Sequence, residues 1–253
     1  MAKTFEALMK AEEESQKKRD KIIAFEPKPD VRRPWTSGEE RRFKIYRQTW
    51  EQCSQIKHNI LRSTPEKKIR TLLFSSPTQG EGNSTILVNF AMSLTFEGES
   101  VLVVDANLRK PSLHHVFNLE KENGFSELVL GKATLNDVIK GTLFDNLFVV
   151  TSGMDHFSPS SILESNSLGA RIEEMKTKAD WIIFDSPHIN SYEDPVTLAS
   201  KVDGVVMIVE AEKTRWEVAQ RAKQRIENGK GNIIGVVLNK RQFHIPDWLY
   251  KRL

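Results

Sequence analysis

Between residues 66 and 241 the chain alternates short, almost wholly apolar runs with longer stretches whose apolar residues recur every three or four positions. The runs 69–75, 101–105, 147–151, 181–185, 205–210 and 233–239 have the length and continuous apolarity of strands buried on both faces. Between them lie helical patterns such as Ile86, Leu87, Phe90, Ala91 and Leu94. This rhythm predicts a doubly wound α/β domain with a mostly parallel sheet, in which ligands sit outside the carboxyl ends of the strands.

Upstream the pattern changes twice. Phe5, Leu8 and Met9 share one side of a Glu/Lys-rich stretch over 4–20, which reads as a short amphipathic helix, and Pro27, Pro29 and Pro34 then impose an extended linker. From 39 to 61, Phe43, Tyr46, Trp50, Cys53, Ile56 and Ile60 follow three- and four-residue steps along one helical face. The expected organisation is therefore an N-terminal helix and linker over 1–38 and a domain over 39–253. That domain comprises a leading helix at 39–61, a core at 66–241 and a short tail at 242–253.

Composition narrows the class. The chain has 253 residues, 39% hydrophobic, enough for one sizeable core. No apolar run approaches a membrane span, the N-terminus has no apolar leader, and the single Cys53 excludes an internal disulfide framework, so a cytoplasmic location is expected. A net charge of +3 gives no argument for nucleic acid. The basic run at 16–21 reads as a solvated helix face.

The chemistry gathers at strand ends. After the first strand comes Gln79-Gly80-Glu81-Gly82-Asn83-Ser84-Thr85, then a helix: the strand, glycine loop and helix order of a phosphate-binding loop. Its lysine position holds Asn83. Gly80 and Gly82 allow backbone angles closed to other residues, and Ser84 stands where a hydroxyl meets Mg²⁺. The second strand ends in Asp105-Ala106-Asn107-Leu108-Arg109-Lys110-Pro111, and the fourth in Asp185-Ser186-Pro187. A carboxylate at each tip beside such a loop suits metal binding.

These motifs resemble those of the bacterial tyrosine kinases of capsular and extracellular polysaccharide export, relatives of the MinD/ParA-type deviant Walker ATPases, over roughly residues 50–240. Residues 76–85 are similar to the family's S-x-x-P-G-E-G-K-S-T, residues 105–111 to its D-x-D-x-R-x-P, and residues 183–188 to its I-I-D-T-P-P. The resemblance implies a P-loop fold and ATP with Mg²⁺ as cofactors. Gly80, Glu81, Gly82, Asn83, Ser84, Thr85 and Arg109 would contact the nucleotide, and Ser84, Asp105 and Asp185 the metal. Asp105, Asn107 and Asp185 occupy the catalytic positions.

The chain departs from the family at functional points. Asn83 replaces the loop lysine and Asn107 the second aspartate, the family's proton acceptor, so the chain lacks a cation and a base of useful strength. Glu51, Ser54, Lys57 and Asn59 only partly reproduce the family's E-x-x-R-x-x-R-x-N subunit-contact motif, and Tyr250 stands where a tyrosine cluster is usual. The reading is an ATP-binding member of this kinase family with weak or lost phosphotransfer, regulating polysaccharide biosynthesis and export. The alternatives are an active autophosphorylating kinase and, more distantly, a positioning ATPase. Implied partners are a membrane chain-length or co-polymerase protein, a second copy, or an active kinase paralogue. Such a partner would hold the chain at the inner face of the plasma membrane.

Overall fold

The computed structural model describes residues 52–154 and 158–241; the predicted N-terminal helix and linker, positions 39–51, and the tail with Tyr250 lie outside them. Residues 52–63 form helix α1. Then follow β1 (Thr71–Ser75), α2 (Asn83–Phe96), β2 (Val101–Asp105), α3 (Leu113–Phe117), α4 (Phe125–Val129), α5 (Leu135–Val138), β3 (Ile139–Gly141) and β4 (Leu147–Val150). The chain continues through α6 (Pro159–Leu163), α7 (Ser167–Met175), β5 (Trp181–Asp185), α8 (Asp194–Ala199), β6 (Gly204–Glu210), α9 (Trp216–Asn228) and β7 (Ile233–Asn239).

The strands form one sheet in the order β3-β4-β2-β5-β1-β6-β7, parallel except where β3 runs antiparallel to β4. The doubly wound, mostly parallel architecture is thus the one the apolar runs predict. The edge strand β3 is the addition: Ile139-Lys140-Gly141 is too short for a periodic signal. It is held by Lys140, whose Nζ donates to the carbonyls of Glu120 (2.6 Å) and Glu122 (2.6 Å) and to Thr151 Oγ1 (2.7 Å).

Helix α2 is buried all round from Leu87 to Leu94, Asn89 and Ser93 included, rather than along one stripe. It starts at Gly82 and stops at Gly98, both with left-handed backbone (φ 92° and 84°). Phe90 packs between Phe74 (ring centres 5.4 Å apart) and Trp181 (6.3 Å), tying α2 to β1 and β5. Truncating a side chain buried like this one costs about 3–5 kcal/mol. Helix α1 adds Ile60 to the same core, and its Lys57 donates to Glu97 and Glu99 (2.7 Å each) beyond the end of α2.

Register then sets up the site. Phe74 lies beside Asp185, and Asp105 beside Asp185, so the ends of β1, β2 and β5 deliver the glycine loop and two carboxylates to one place.

Candidate functional site

The loop between β1 and α2 is clamped from beneath. Glu81 is 1% exposed; its Oε1 accepts from the amide (2.9 Å) and hydroxyl of Thr78, and its Oε2 accepts from the Glu210 amide (3.0 Å). Asn239 Nδ2 donates to the Glu81 carbonyl (2.7 Å), and Lys240 Nζ donates to the Gly80 carbonyl (2.8 Å) and to Glu210 Oε2 (3.0 Å). Gly80 and Gly82 are left-handed (φ 87° and 92°), which turns the loop towards the helix N-terminus. The helical ladder opens with the Ile86 amide donating to the Gly82 carbonyl (3.0 Å). The amides of Asn83, Ser84 and Thr85 precede it and have no intrahelical acceptor, as helix geometry requires; they form a positive terminus suited to phosphate.

Asn83 turns inward. Its Nδ2 donates to Asp185 Oδ1 (2.6 Å) and to the Phe74 carbonyl (3.0 Å), while its buried Oδ1 has no hydrogen-bond partner. Ser84 Oγ donates to Asp185 Oδ2 (2.7 Å), so both oxygens of that carboxylate meet the loop. Asp105 accepts from the amides of Ser112 and Leu113 (3.0 Å each) and of Asn107 (3.3 Å). Asn107 Oδ1 is itself occupied by the Lys110 amide (3.1 Å).

Asp105 and Asp185 are both fully buried, and burial raises both above the usual carboxylate range; the negative charge of Asp105 raises Asp185 further. Hydrogen bonds from the surrounding amides, Ser84 and Asn83 only partly offset this. Two buried carboxylates and a hydroxyl, with an amide in place of the loop cation, make an oxygen-rich, electronegative cluster. That donor set fits a hard divalent cation, and the cradle above it fits the phosphates such a cation would accompany.

Arg109 is engaged with the segment after β5. It grips Asp194 through Nε (2.6 Å) and Nη2 (3.0 Å), and its guanidinium lies 4.4 Å from the centre of the Tyr192 ring. Arg225 in turn donates to the carbonyls of Ile189 (2.5 Å) and Tyr192 (3.2 Å), fixing the segment after β5. Thr85 and Lys110 are exposed. The His114 and His115 rings lie tilted against each other (centres 3.9 Å apart), and His188 meets Tyr192 edge to face (5.0 Å). The loop clamp by Glu210 and Lys240 was not legible beforehand; its one signal is that both residues end or follow strands whose carboxyl ends meet the loop.

An AAA domain family model matches residues 69–230. The Staphylococcus aureus protein CapB is 33% identical over 190 residues, 75% of this chain and 83% of that protein. The tyrosine-protein kinase CpsD of Streptococcus agalactiae is 32% identical over 195 residues, 77% of this chain and 84% of that protein. The chain belongs to the bacterial tyrosine kinases of the CapB and CpsD type. Among solved structures, the chimerical protein CapA2B2 superposes on this bacterial tyrosine kinase fold with a TM-score of 0.72 at 30% identity, covering 76% of this chain and 85% of that one. MinD of Pyrococcus horikoshii, complexed with Mg-ADP, is similar in fold alone (TM-score 0.58, 21% identity, 72% of this chain and 76% of that one). The P-loop architecture agrees with nucleotide and Mg²⁺ binding in general.

Proposed function

We propose that this chain is a nucleotide-binding regulator of capsular or extracellular polysaccharide production that has lost most or all of its phosphotransfer. The observation that carries the reading is Asn83, at the loop-lysine position, donating into Asp185 and the Phe74 carbonyl. The amides from Gly80 to Thr85 bind the phosphates of ATP. Ser84, Asp105 and Asp185 would hold Mg²⁺, which would supply positive charge to offset that of the phosphates. Asn83 orients Asp185 and leaves charge growing on a transferred phosphoryl group unmatched by a cation. Loss of one such contact typically costs ~3–4 kcal/mol in the transition state. Asn107, an amide with its oxygen engaged by the chain, supplies no base for a tyrosine hydroxyl. Arg109 acts by holding the segment after β5 in place.

Among the described residues no helix is long and apolar enough to cross a membrane. The proposed setting is the cytoplasmic face of the plasma membrane, reached through a membrane partner of the chain-length type. The relatives named CapB and CpsD and the CapA2B2 chimera support this setting. A second copy or an active paralogue is the other expected partner. The domain limits proposed are 1–38 and 39–253.

Calorimetry with Mg·ATP, paired with phosphotyrosine detection, tests the reading on the unaltered chain and on Asn83→Lys combined with Asn107→Asp. Binding without phosphotyrosine in the unaltered chain, and phosphotyrosine in the double variant, is the expected result. Phosphotyrosine formed at the same rate by both would sink it.

A further inference from the structure

The end of the sheet opposite the phosphate loop is positively charged. β5, β1, β6 and β7 are neighbours and run parallel, so the segments that lead into them, 176–180, 64–70, 200–203 and 229–232, meet at one end of the sheet. Neighbouring strands lie about 4.8 Å apart, so the four entries span a face about 15 Å wide. Each brings at least one lysine: Lys178 before β5, Lys67 and Lys68 before β1, Lys201 before β6 and Lys230 before β7. All but the half-buried Lys178 are exposed, and among the described residues none of the five has a carboxylate as partner.

A different set of groups holds this end together. Arg70 Nε donates to the Asp180 carbonyl (3.4 Å) and Nη2 to those of Lys176 (2.5 Å) and Ala179 (2.6 Å), Lys67 Nζ reaches the Asp203 carbonyl (3.4 Å), and Lys176 pairs with Glu173 (2.7 Å). Two carboxylates are taken up by the backbone. Asp203 Oδ2 accepts from the amides of Arg70 and Thr71 and from the Thr71 hydroxyl (2.9 Å each), and Asp180 Oδ2 accepts from the Ser100 amide (3.2 Å). Glu66 is therefore the one exposed carboxylate of the four segments. The positive face stops at β2, whose entry carries Glu97 and Glu99, both offset by Lys57 (2.7 Å each), and beyond it the entry to β4 carries Asp145.

The buried carboxylates Asp105 and Asp185 lie at the other end of the strands, so the domain is electrically polar along the sheet. The four segments contain no aromatic residue, and their unpaired cations are lysines, point charges without the fork that grips phosphates in pairs. That composition suits a diffuse anionic surface rather than stacked bases. We infer that this end docks on the anionic lipid headgroups of a membrane surface and holds the phosphate loop on the side away from the bilayer. An anionic leaflet multiplies binding about fivefold for each lysine brought near it, so the five lysines act together. The face gives the proposed membrane setting a contact besides a membrane partner, and it needs only its own charge, not the reading of the phosphate loop.

Vesicle sedimentation tests this on the 253-residue chain, with two parts phosphatidylcholine to one part phosphatidylglycerol and with phosphatidylcholine alone. The mixed vesicles should bind about a hundredfold more strongly or better, and raising the salt from about 0.1 M to about 0.5 M should abolish the difference. Lys201→Gln with Lys230→Gln should weaken binding about tenfold or more, and adding Lys67→Gln and Lys68→Gln about a hundredfold or more. Arg221→Gln with Lys223→Gln, an equal loss of charge at exposed positions halfway along α9, should change it less than about twofold. Equal weakening by the two pairs, binding that survives the fourfold variant, or a chain that ignores the mixed vesicles would each overturn the docking face. Stronger binding to a DNA duplex than to the mixed vesicles, lost in the same variants, would assign the face to nucleic acid and overturn it too. Mg·ATP affinity by calorimetry should be the same in every variant. Vesicle binding by a chain that takes no nucleotide would sink the proposed function and leave the docking face standing.

Discussion

Asn83 Nδ2 lies 2.6 Å from Asp185 Oδ1, so the side chain at the position of the missing cation is spent on one of the two buried carboxylates. Removing it should cost stability more than it costs binding. Asn83→Ala withdraws a donor from Asp185 and from the Phe74 carbonyl, and is expected to destabilise the fold by about 1–2 kcal/mol in denaturant titration. Asn83→Lys places a cation at the pocket. A charge-assisted bond to phosphate is worth about 1.5–3 kcal/mol, so Mg·ATP affinity by calorimetry should rise tenfold or more.

The two loop glycines should answer substitution differently. Both are left-handed, so either change to alanine strains the backbone by about 1–2 kcal/mol. At Gly80 a Cβ meets nothing within 4 Å, and Gly80→Ala is expected to stop at that strain. At Gly82 a Cβ would stand 2.2 Å from Asn239 Nδ2, the group that donates to the Glu81 carbonyl. Gly82→Ala should therefore displace the clamp and abolish nucleotide binding, with Asn239→Ala restoring part of the stability. Thermal unfolding and nucleotide titration of the three variants check the order.

Arg109 separates a structural role from a ligand-binding one. Its partner Asp194 has a side chain only 1% exposed, so removing the guanidinium strands a buried carboxylate. Breaking such a pair from one side costs about 3–5 kcal/mol, and the one-third exposure of Arg109 puts the expected loss for Arg109→Ala at the lower end, about 3 kcal/mol. Arg109→Ala with Asp194→Asn should recover much of that. If Arg109 served phosphate instead, the double variant would regain stability and still bind Mg·ATP at least tenfold more weakly.

Much of this was legible along the chain, for physical reasons. Strands buried on both faces must be continuously apolar, so β1, β2, β4, β5, β6 and β7 stand out to within two residues at either end. Asp105 and Asp185 stood out because a carboxylate ending such a run has few structural uses. β3 escaped notice because three residues, paired to β4 and anchored by Lys140, are too few to show a pattern. The pairing of Arg109 with Asp194, 85 residues on, was hidden because sequence order gives its distance from Asp105 but not from Asp194. The direction of Asn83 was equally hidden: a short amide reaches the carbonyl beneath it, where a lysine is long enough to extend past.

The carboxylate pair gives the site a pH signature opposite in sign to that of the histidines. Burial raises Asp105 to about 6 and Asp185 to about 7, from an ordinary value of 3.8. A carboxyl that holds its proton more tightly folded than unfolded favours the fold at low pH, and that advantage drains away as pH rises from about 4 to about 7. His114 and His188 are lowered by burial, so they favour the fold as pH rises towards their ordinary value of 6.5. The two trends overlap, and the melting temperature of the unaltered chain alone would not separate them. Asp185→Asn would: it keeps both histidines and removes the acid that is raised furthest. Between pH 5 and pH 8 the variant should gain stability relative to the unaltered chain, and the gain should level off above pH 7. Millimolar Mg²⁺ should erase most of this difference by stabilising only the chain that keeps both carboxylates. A difference independent of pH would show that Asp185 is not raised, and one unaffected by Mg²⁺ would show that the pair is not a metal site.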